Sequence, residues 1–251
     1  MLTKYFEECK NRYTHLDFKR KGDTFIRVIG DVWQTFTIRR FRKNKIRDIG
    51  FSLRPLCEQP NQYKFALKNT FFLEEYRACD FGLDLDRFYF NRLSVENEDE
   101  LLKEVFDFLE CTIIPLFERG TDCATALMGL NSLDDYKAKL MGLDFSIPTK
   151  EKYYMALKTS DFEYAIKYLL NDIRGLEMAR EIDLNEASKP DLDDFYREQN
   201  DKHLRYILLT LEKVREELAH AELKDSDYFR DRLIDNERIA LSALAKYIVN
   251  N

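Results

Sequence analysis

Glycine and proline are scarce in this sequence, whose 251 residues include eight Gly and five Pro. Folds built from many short strands and tight turns use more of both, so the shortage indicates long regular elements and argues against a many-turned sandwich or barrel. No stretch approaches the ~18 apolar residues that a membrane span needs. The first residues carry acids where a signal peptide has its apolar stretch. We therefore expect a cytoplasmic protein with no membrane partner.

Metal-binding and redox residues are equally sparse. There are three His, and the five Cys are widely scattered without a C-x-x-C pair, which excludes a zinc finger or a secreted disulfide framework and fits a reducing compartment. The G-x-S-x-G, P-loop and G-x-G-x-x-G motifs are absent, and the kinase-like tripeptide at Asp80 stands alone. The sequence predicts no catalytic residue and no cofactor, and it favours a protein that is not an enzyme.

Aromatic and β-branched residues dominate the first part of the chain after a short helix. Side chains alternate with a period of two in residues 24–29 and 32–40, and Gly30-Asp31 between them has the form of a two-residue type II′ hairpin turn. A third strand ends at Pro55, and we expect a fourth within residues 83–93. This pattern predicts an antiparallel sheet with flanking helices, followed by an all-helical C-terminal part, which is an α+β fold.

The two-residue turn determines how the first two hairpin strands pair. Phe25 then faces Phe36 and Ile29 faces Val32, while Trp33 lies on the other face beside Val28. Both faces are partly apolar, which is unusual for a sheet that packs on one side only. We therefore expect the Trp33 face to be covered by another part of the chain or by a partner, and we expect the ring of Trp33 to be buried.

The chain from Asn97 onward has helical periodicity. We expect helices beginning at Asn97, Ser132, Ser160 and Asp191, and a last one at residues 225 or 226 with Ile234 facing inward. Residues 204–221 repeat apolar side chains at heptad spacing over too short a span for a free coiled coil, so we expect a helical bundle. The segment 144–149 is the best candidate for a joint, which predicts an α+β domain at 1–145 and a helical domain at 146–251.

The charges are divided unevenly along the chain. Residues 1–56 contain 14 Lys+Arg and 6 Asp+Glu, whereas the whole chain has a net charge of −6. The basic part either meets an anionic partner or attracts the acidic remainder of the chain. A cationic rim beside an exposed aromatic ring suits single-stranded nucleic acid; the plainer interpretation is a soluble hairpin end protected by its charge. The candidate binding residues are Trp33, Arg39, Arg40, Arg42 and Lys43.

Three aspartates form the one cluster that could hold a metal ion. If residues 83–87 form a strand, Asp84 and Asp86 point to the same face, with Asp80 nearby, and paired carboxylates suit Mg²⁺ in phosphoryl chemistry. The same alternation is typical of any half-exposed strand, and no nearby Lys, His or Glu completes a nuclease site. A metal-dependent enzyme that uses Asp80, Asp84 and Asp86 is kept as an alternative.

The segment from Leu16 to Phe25, read Leu-Asp-Phe-Lys-Arg-Lys-Gly-Asp-Thr-Phe, resembles the beginning of an uncharacterised family of bacterial domains of unknown function. In that family a Phe-Lys-Lys-x-Gly-x-x-Phe pattern leads into a small antiparallel sheet with flanking helices. The resemblance covers about residues 1–120. It implies a bacterial, cytoplasmic origin and brings no activity, cofactor or functional residue with it.

Three functions are therefore kept open. The first is a non-enzymatic protein-interaction module with another protein as its partner, of which toxin-neutralising proteins are one kind; it draws on the two-sided apolar hairpin and the heptad helix. The second is nucleic-acid or anion binding through the basic hairpin, and the third is the metal-dependent enzyme. Salt-dependent binding to oligonucleotides separates the second from the first.

Overall fold

A computed structural model describes residues 2–41, 45–58, 76–81, 83, 95–140, 148–189 and 193–249. The chain forms two compact units. The first contains Met1–Ile147 together with Arg232–Asn251, and the second contains Pro148–Asp231. Strands occur in the first unit, and the described part of the second is helical, so the predicted α+β class with an all-helical C-terminal part is confirmed.

The described strands of the first unit form one antiparallel sheet in the order β1-β2-β3-β4-β5. Their bounds are β1 Lys19–Lys21, β2 Thr24–Ile29, β3 Val32–Phe41, β4 Lys45–Pro55 and β5 Tyr76–Arg77. The fourth strand expected within residues 83–93 falls almost entirely outside the described residues, and Leu83, which is described, is not in a strand.

The predicted hairpin register is confirmed. Phe25 pairs with Phe36, Ile29 with Val32, and Val28 with Trp33. Gly30 has a φ of 56°, whereas Asp31 is not among the residues with positive φ, and these two φ values agree with a type II′ turn. This turn matches the twist of the flanking strands, so the local sequence is sufficient to set the pairing.

Helices cover the sheet face that carries Phe25 and Phe36. Helix α1 (Leu2–Tyr13) packs there through aromatic rings, for example Phe6 on Phe25 at 6.1 Å between centroids. Helix α2 (Val95–Phe108) continues through a π-helical segment, Leu109–Ile113, into α3 (Ile114–Arg119), and Phe108 contacts Phe51 of β4. Gly120 ends α3, and its N–H donates to the carbonyl of Leu116.

Helix α4 (Cys123–Leu140) begins nine residues before the predicted start at Ser132, so that prediction is wrong. The Asp122 carboxylate accepts from the N–H of Thr125 at 2.9 Å, and the Asp31 carboxylate accepts from the N–H of Cys123 at 2.7 Å. These bonds satisfy backbone groups in the first turn. One acceptor comes from the distant hairpin turn, which local sequence could not reveal.

The end of the chain covers the opposite face of the sheet. Helix α8 (Ser226–Leu244) contributes its residues from Arg232 onward to the first unit. Ile26, Val28 and Trp33 form one buried cluster with Leu56 and five residues of the C-terminal segment. These five are Ala240, Leu241, Leu244, Tyr247 and Ile248. Trp33 has none of its surface exposed, which confirms the expected burial of the ring.

The second unit consists of long helices. Their bounds are α5 Lys150–Lys158, α6 Phe162–Ala187 and α7 Asp194–Glu222, followed by the start of α8. Asp161 and Asp193 cap α6 and α7, one residue after the predicted Ser160 and two after Asp191. Apolar residues of the heptad stripe, including Ile207, Leu211 and Val214, are buried as expected.

The two compact units differ from the predicted domains in one respect. The first boundary falls after Ile147, close to the predicted joint, but residues 232–251 belong to the first unit. Ile234 is 54% exposed, so its predicted inward position is wrong, and Leu233 is buried in its place. That 1–145 and 146–251 are separate domains stays a prediction.

Candidate functional site

Trp33, which the sequence offered as a candidate binding residue, lies in the core of the structure. An aromatic anchor for nucleic acid must have an exposed ring, whereas Trp33 lies behind Leu244 and Tyr247 with no exposed surface. The guanidinium of Arg54 lies over the ring at 5.9 Å and is itself paired with buried Glu58. Trp33 therefore stabilises the sheet and is not available to a surface partner.

The other predicted binding residues lie at the far end of the hairpin. Arg39 pairs with Asp48 and Arg40 with Ile46, and a register shift separates the two pairs. The side chains of Arg39 and Arg40 lie outside the described part of the structure, as do Arg42 and Lys43 altogether. Their role in binding stays a prediction, without the neighbouring aromatic ring that supported it.

The predicted metal cluster falls almost entirely outside the described residues. The backbone of Asp80 lies in the 3₁₀ helix Ala78–Phe81, but its side chain, Asp84 and Asp86 are outside the described residues. Within the described ranges there is no group of three or more His, Cys, Asp or Glu suited to a metal ion. None of the helices in those ranges is long and apolar enough to cross a membrane.

Two other places in the structure have the character of binding sites. The first is the distal part of the α6–α7 pair, residues 170–189 and 193–206, which we call the arm. The bases of these helices are buried through residues such as Phe162, Leu169 and Ile207, but no described residue of the arm is buried. Asp183 joins the two helices, since it accepts from the side chain of Asn200 through its carbonyl at 2.7 Å.

Large apolar side chains on the arm and the adjoining turn of α7 are exposed to solvent. Phe195 is 64% exposed and Leu209 is 68% exposed. Phe195, Tyr206 and Leu209 are spaced by eleven and fourteen residues, close to three and four helical turns, so they share one face of α7. The exposed apolar residues of this region are Leu170, Met178, Ile182, Leu184, Phe195, Tyr196, Tyr206, Leu208 and Leu209.

The second place is a cleft of about 390 Å³ between α1 and the first strands, which we call the N-terminal cleft. Its interior is aromatic, because Phe6, Tyr13 and Phe25 are buried there and Phe18 is half-buried. Cys9 also lines it, and burial raises the pKa of this thiol to about 12. A thiol with so high a pKa is protonated at neutral pH and is a poor nucleophile.

Charged side chains surround the N-terminal cleft. The cationic residues of its lining are Lys10, Lys19 and Arg20, and the acidic ones are Glu7 and Asp17. The Cζ of Arg20 lies over the Phe6 ring at 3.4 Å from its centroid, and the Nε of Arg20 donates to the carbonyl of Gly22 at 2.7 Å. Neither the cleft nor the arm was predicted from the sequence.

Comparison with protein-family models, curated proteins and solved structures finds no match to this chain. The resemblance of residues 1–120 to a bacterial family therefore stays an expectation. One signal in the sequence could have revealed the arm. Helix α7 has more large apolar residues than its buried stripe can hold, and Phe195, Tyr206 and Leu209 fall outside the heptad positions that face inward.

Proposed function

We propose that this protein is a non-enzymatic protein-interaction module of the bacterial cytoplasm and that the arm is its partner-binding surface. The observation that carries the proposal is the exposure of Phe195, Tyr206 and Leu209 along one face of α7. The three side chains span about 20 Å at 1.5 Å per helical residue. Extended apolar exposure of this kind is typical of interaction sites.

The geometry of two paired helices explains why apolar side chains of the arm are exposed in the free protein. Two paired helices bury only the faces they turn towards each other, so further apolar residues on their outer faces need a third element. Met178 and Ile182 stand on the outer face of α6, one helical turn apart and each more than half exposed. A partner helix can supply that third element, and Phe195 and Tyr206 are the aromatic residues that dominate interface energies.

The charge of the arm indicates which partner fits. The arm contains nine acidic and six basic residues, so a partner with apolar and basic character complements it. The occupant we propose is a basic amphipathic helix of another protein. A toxin neutralised by binding is one instance of such a partner. The nucleic-acid and metal-dependent alternatives gain no support from the described residues.

The test uses the full chain and a synthetic peptide of about 20 residues, enough for a helix that spans the stripe. The peptide has leucine on one face and lysine on the other, and its counterpart has glutamate in place of lysine. We expect the lysine peptide to bind in calorimetry, with an affinity that falls as salt rises, and the glutamate peptide to bind at least about tenfold more weakly.

The matched variants remove equal numbers of exposed apolar side chains from two helices. Phe195→Ser with Leu209→Ser should weaken peptide binding at least about tenfold, whereas Met128→Ser with Leu140→Ser on α4 should not change it. Equal effects of the two variants would contradict the proposal. So would a stable homodimer that is lost in the arm variant, because the occupant of the arm is then a second copy of the chain.

A further inference from the structure

The N-terminal cleft has an anion-binding group that is already held in position. The Arg20 guanidinium lies over the Phe6 ring, and its Nε donates to the carbonyl of Gly22, so two contacts restrict its orientation. Within the described residues its Nη1 and Nη2 groups have no protein partner. Two parallel N–H donors of the planar guanidinium match the two oxygens of a carboxylate or a phosphate.

The strand register places two cations of the N-terminal cleft on opposite faces of the sheet. Arg20 pairs with Phe25, which stacks on Phe36 at 4.6 Å on the helix-covered face of the sheet. Lys19 pairs with Ile26, which belongs to the cluster on the opposite face. Arg20 therefore lies on the helix-covered face of the sheet, whereas Lys19, which also lines the cleft, has a register position of the opposite face. Lys10 of α1 is a further cation of the lining.

The interior of the cleft suits an apolar group. Phe18, Phe25 and Tyr13 present aromatic surface, and their rings are held by neighbours, since Phe18 contacts Phe117 at 5.7 Å and Tyr13 contacts Phe36 at 6.2 Å. A volume of about 390 Å³ falls within the range of small-molecule sites, about 300–1,000 Å³. Such sites combine apolar walls with a few placed polar groups.

We propose that the N-terminal cleft binds a small organic anion with an aromatic body and one carboxylate or phosphate group. The anionic group takes the free N–H donors of Arg20 and the charge of Lys10, and the aromatic body lies against Phe18 and Phe25. Glu7 and Asp17 at the rim select against ligands with several negative charges, because like charges repel. This site is independent of the arm and of the function proposed for it.

The test is a titration of the full chain, followed by amide chemical shifts and calorimetry, with four small probes. Phenyl phosphate and phenylacetate carry both features of the ligand, inorganic phosphate lacks the ring, and benzyl alcohol lacks the charge. We expect one or both aryl anions to bind at least about tenfold more tightly than the two incomplete probes. The tighter of the two identifies the anionic group, and the shifts should centre on residues 10 and 17–25.

The chain offers a matched control for Arg20. Arg12, near the end of α1, also lies over an aromatic ring, with its guanidinium at 4.4 Å from the Phe106 centroid. Unlike Arg20, it is paired within the described residues with a carboxylate, that of Glu110, at 2.6 Å. Arg20→Gln should weaken aryl-anion binding about tenfold, as loss of a charge-assisted bidentate contact does. Arg20→Lys should also weaken it, because the planar fork is lost. Arg12→Gln should leave affinity within about twofold.

Three results would overturn the proposal. They are the absence of saturable binding of either aryl anion up to about 10 mM, equal effects of Arg20→Gln and Arg12→Gln, and benzyl alcohol binding as tightly as the aryl anions. Arg20 is exposed, so its variants are expected to fold, and a melting curve for each one verifies this. Arm variants serve as a further control, because the loss of peptide binding should leave aryl-anion binding unchanged.

Discussion

Strand pairing predicts that Arg27 and Gln34 are neighbours, but it does not predict that they are buried. The hairpin register places the two side chains opposite each other, and the Arg27 Nε donates to the Gln34 Oε1. Both side chains are buried, and the guanidinium satisfies its remaining donors by donating to the carbonyls of Leu16 and Phe117, at 3.0 Å each. Burial lowers the pKa of Arg27. An acceptor 90 residues away, the carbonyl of Phe117, cannot be inferred from alternation, so the sequence predicts the pair but not its burial.

The cysteines differ in exposure, and their reactivity should differ accordingly. Cys79 and Cys111 are exposed, whereas Cys9, Cys57 and Cys123 are buried. We expect two thiols of the native protein to react readily with an aromatic disulfide reagent at pH 8, and three to react slowly. Burial raises the pKa of Cys9 to about 12, so its thiolate remains a minor form as the pH rises to about 11.

Mass spectrometry of the labelled peptides identifies the reacting residues, and all five thiols should react in denaturant. Labelling of Cys9 at the rate of Cys79 would show that α1 opens readily from the sheet. The hydrogen bond with Cys57 and burial both raise the pKa of Cys123, so this thiol should also stay unlabelled.

Among the elements, the hairpin turn depends on a glycine for two separate reasons. Gly30 has a φ of 56°, and a Cβ placed on it would lie 2.2 Å from the carbonyl oxygen of Thr121. Gly22 has a similar φ of 62°, but a Cβ there would meet nothing within 4 Å. The two positions therefore separate backbone strain from steric overlap.

Gly22→Ala should lower the free energy of unfolding by about 1–2 kcal/mol, the cost of a left-handed alanine. Gly30→Ala should lower it by about 2–5 kcal/mol, because the turn must also move away from residue 121. Urea unfolding measures both values. Equal losses would show that the contact between the turn and Thr121 does not constrain the hairpin.

The start of helix α4 could not be predicted from the local sequence. Gly129 lies within the helix, and a Cβ there would lie 2.7 Å from the Leu116 side chain. The glycine allows α3 and α4 to approach closely. Strand pairing was predictable because alternation and the turn are local, whereas this helix is determined by contacts with distant elements. The N-terminal cleft was missed for the same reason, since it arises only when α1 and the first strands are placed together, whereas the arm left a signal in the excess apolar residues of α7.

For the whole molecule, the end of the chain determines the environment of Trp33. Leu244 is fully buried in the Trp33 cluster, whereas Ile234, on the same helix, is 54% exposed. Leu244→Ala should lower the free energy of unfolding by about 2–5 kcal/mol, and Trp33→Ala by about 3–5 kcal/mol. Ile234→Ala should change it by no more than about 0.5 kcal/mol.

Trp33 is the single tryptophan of the chain, so its fluorescence reports directly on whether residues 240–248 shield its ring. The native protein should emit at short wavelength and resist iodide, and Leu244→Ala should increase quenching while Ile234→Ala does not. Ready quenching of the unmodified protein would contradict the burial of Trp33.

The closure of the sheet by residues 240–248 has a consequence for synthesis of the chain. The N–H of Val249 donates to the carbonyl of Val28 at 2.9 Å, and more than 180 residues separate Leu56 from Ala240 in the same cluster. At about 5–20 residues per second, roughly 10–40 s pass between the emergence of the hairpin and that of its cover. The Trp33 face is therefore uncovered while the whole second unit is translated, and the nascent chain offers chaperones an apolar surface that the finished protein lacks.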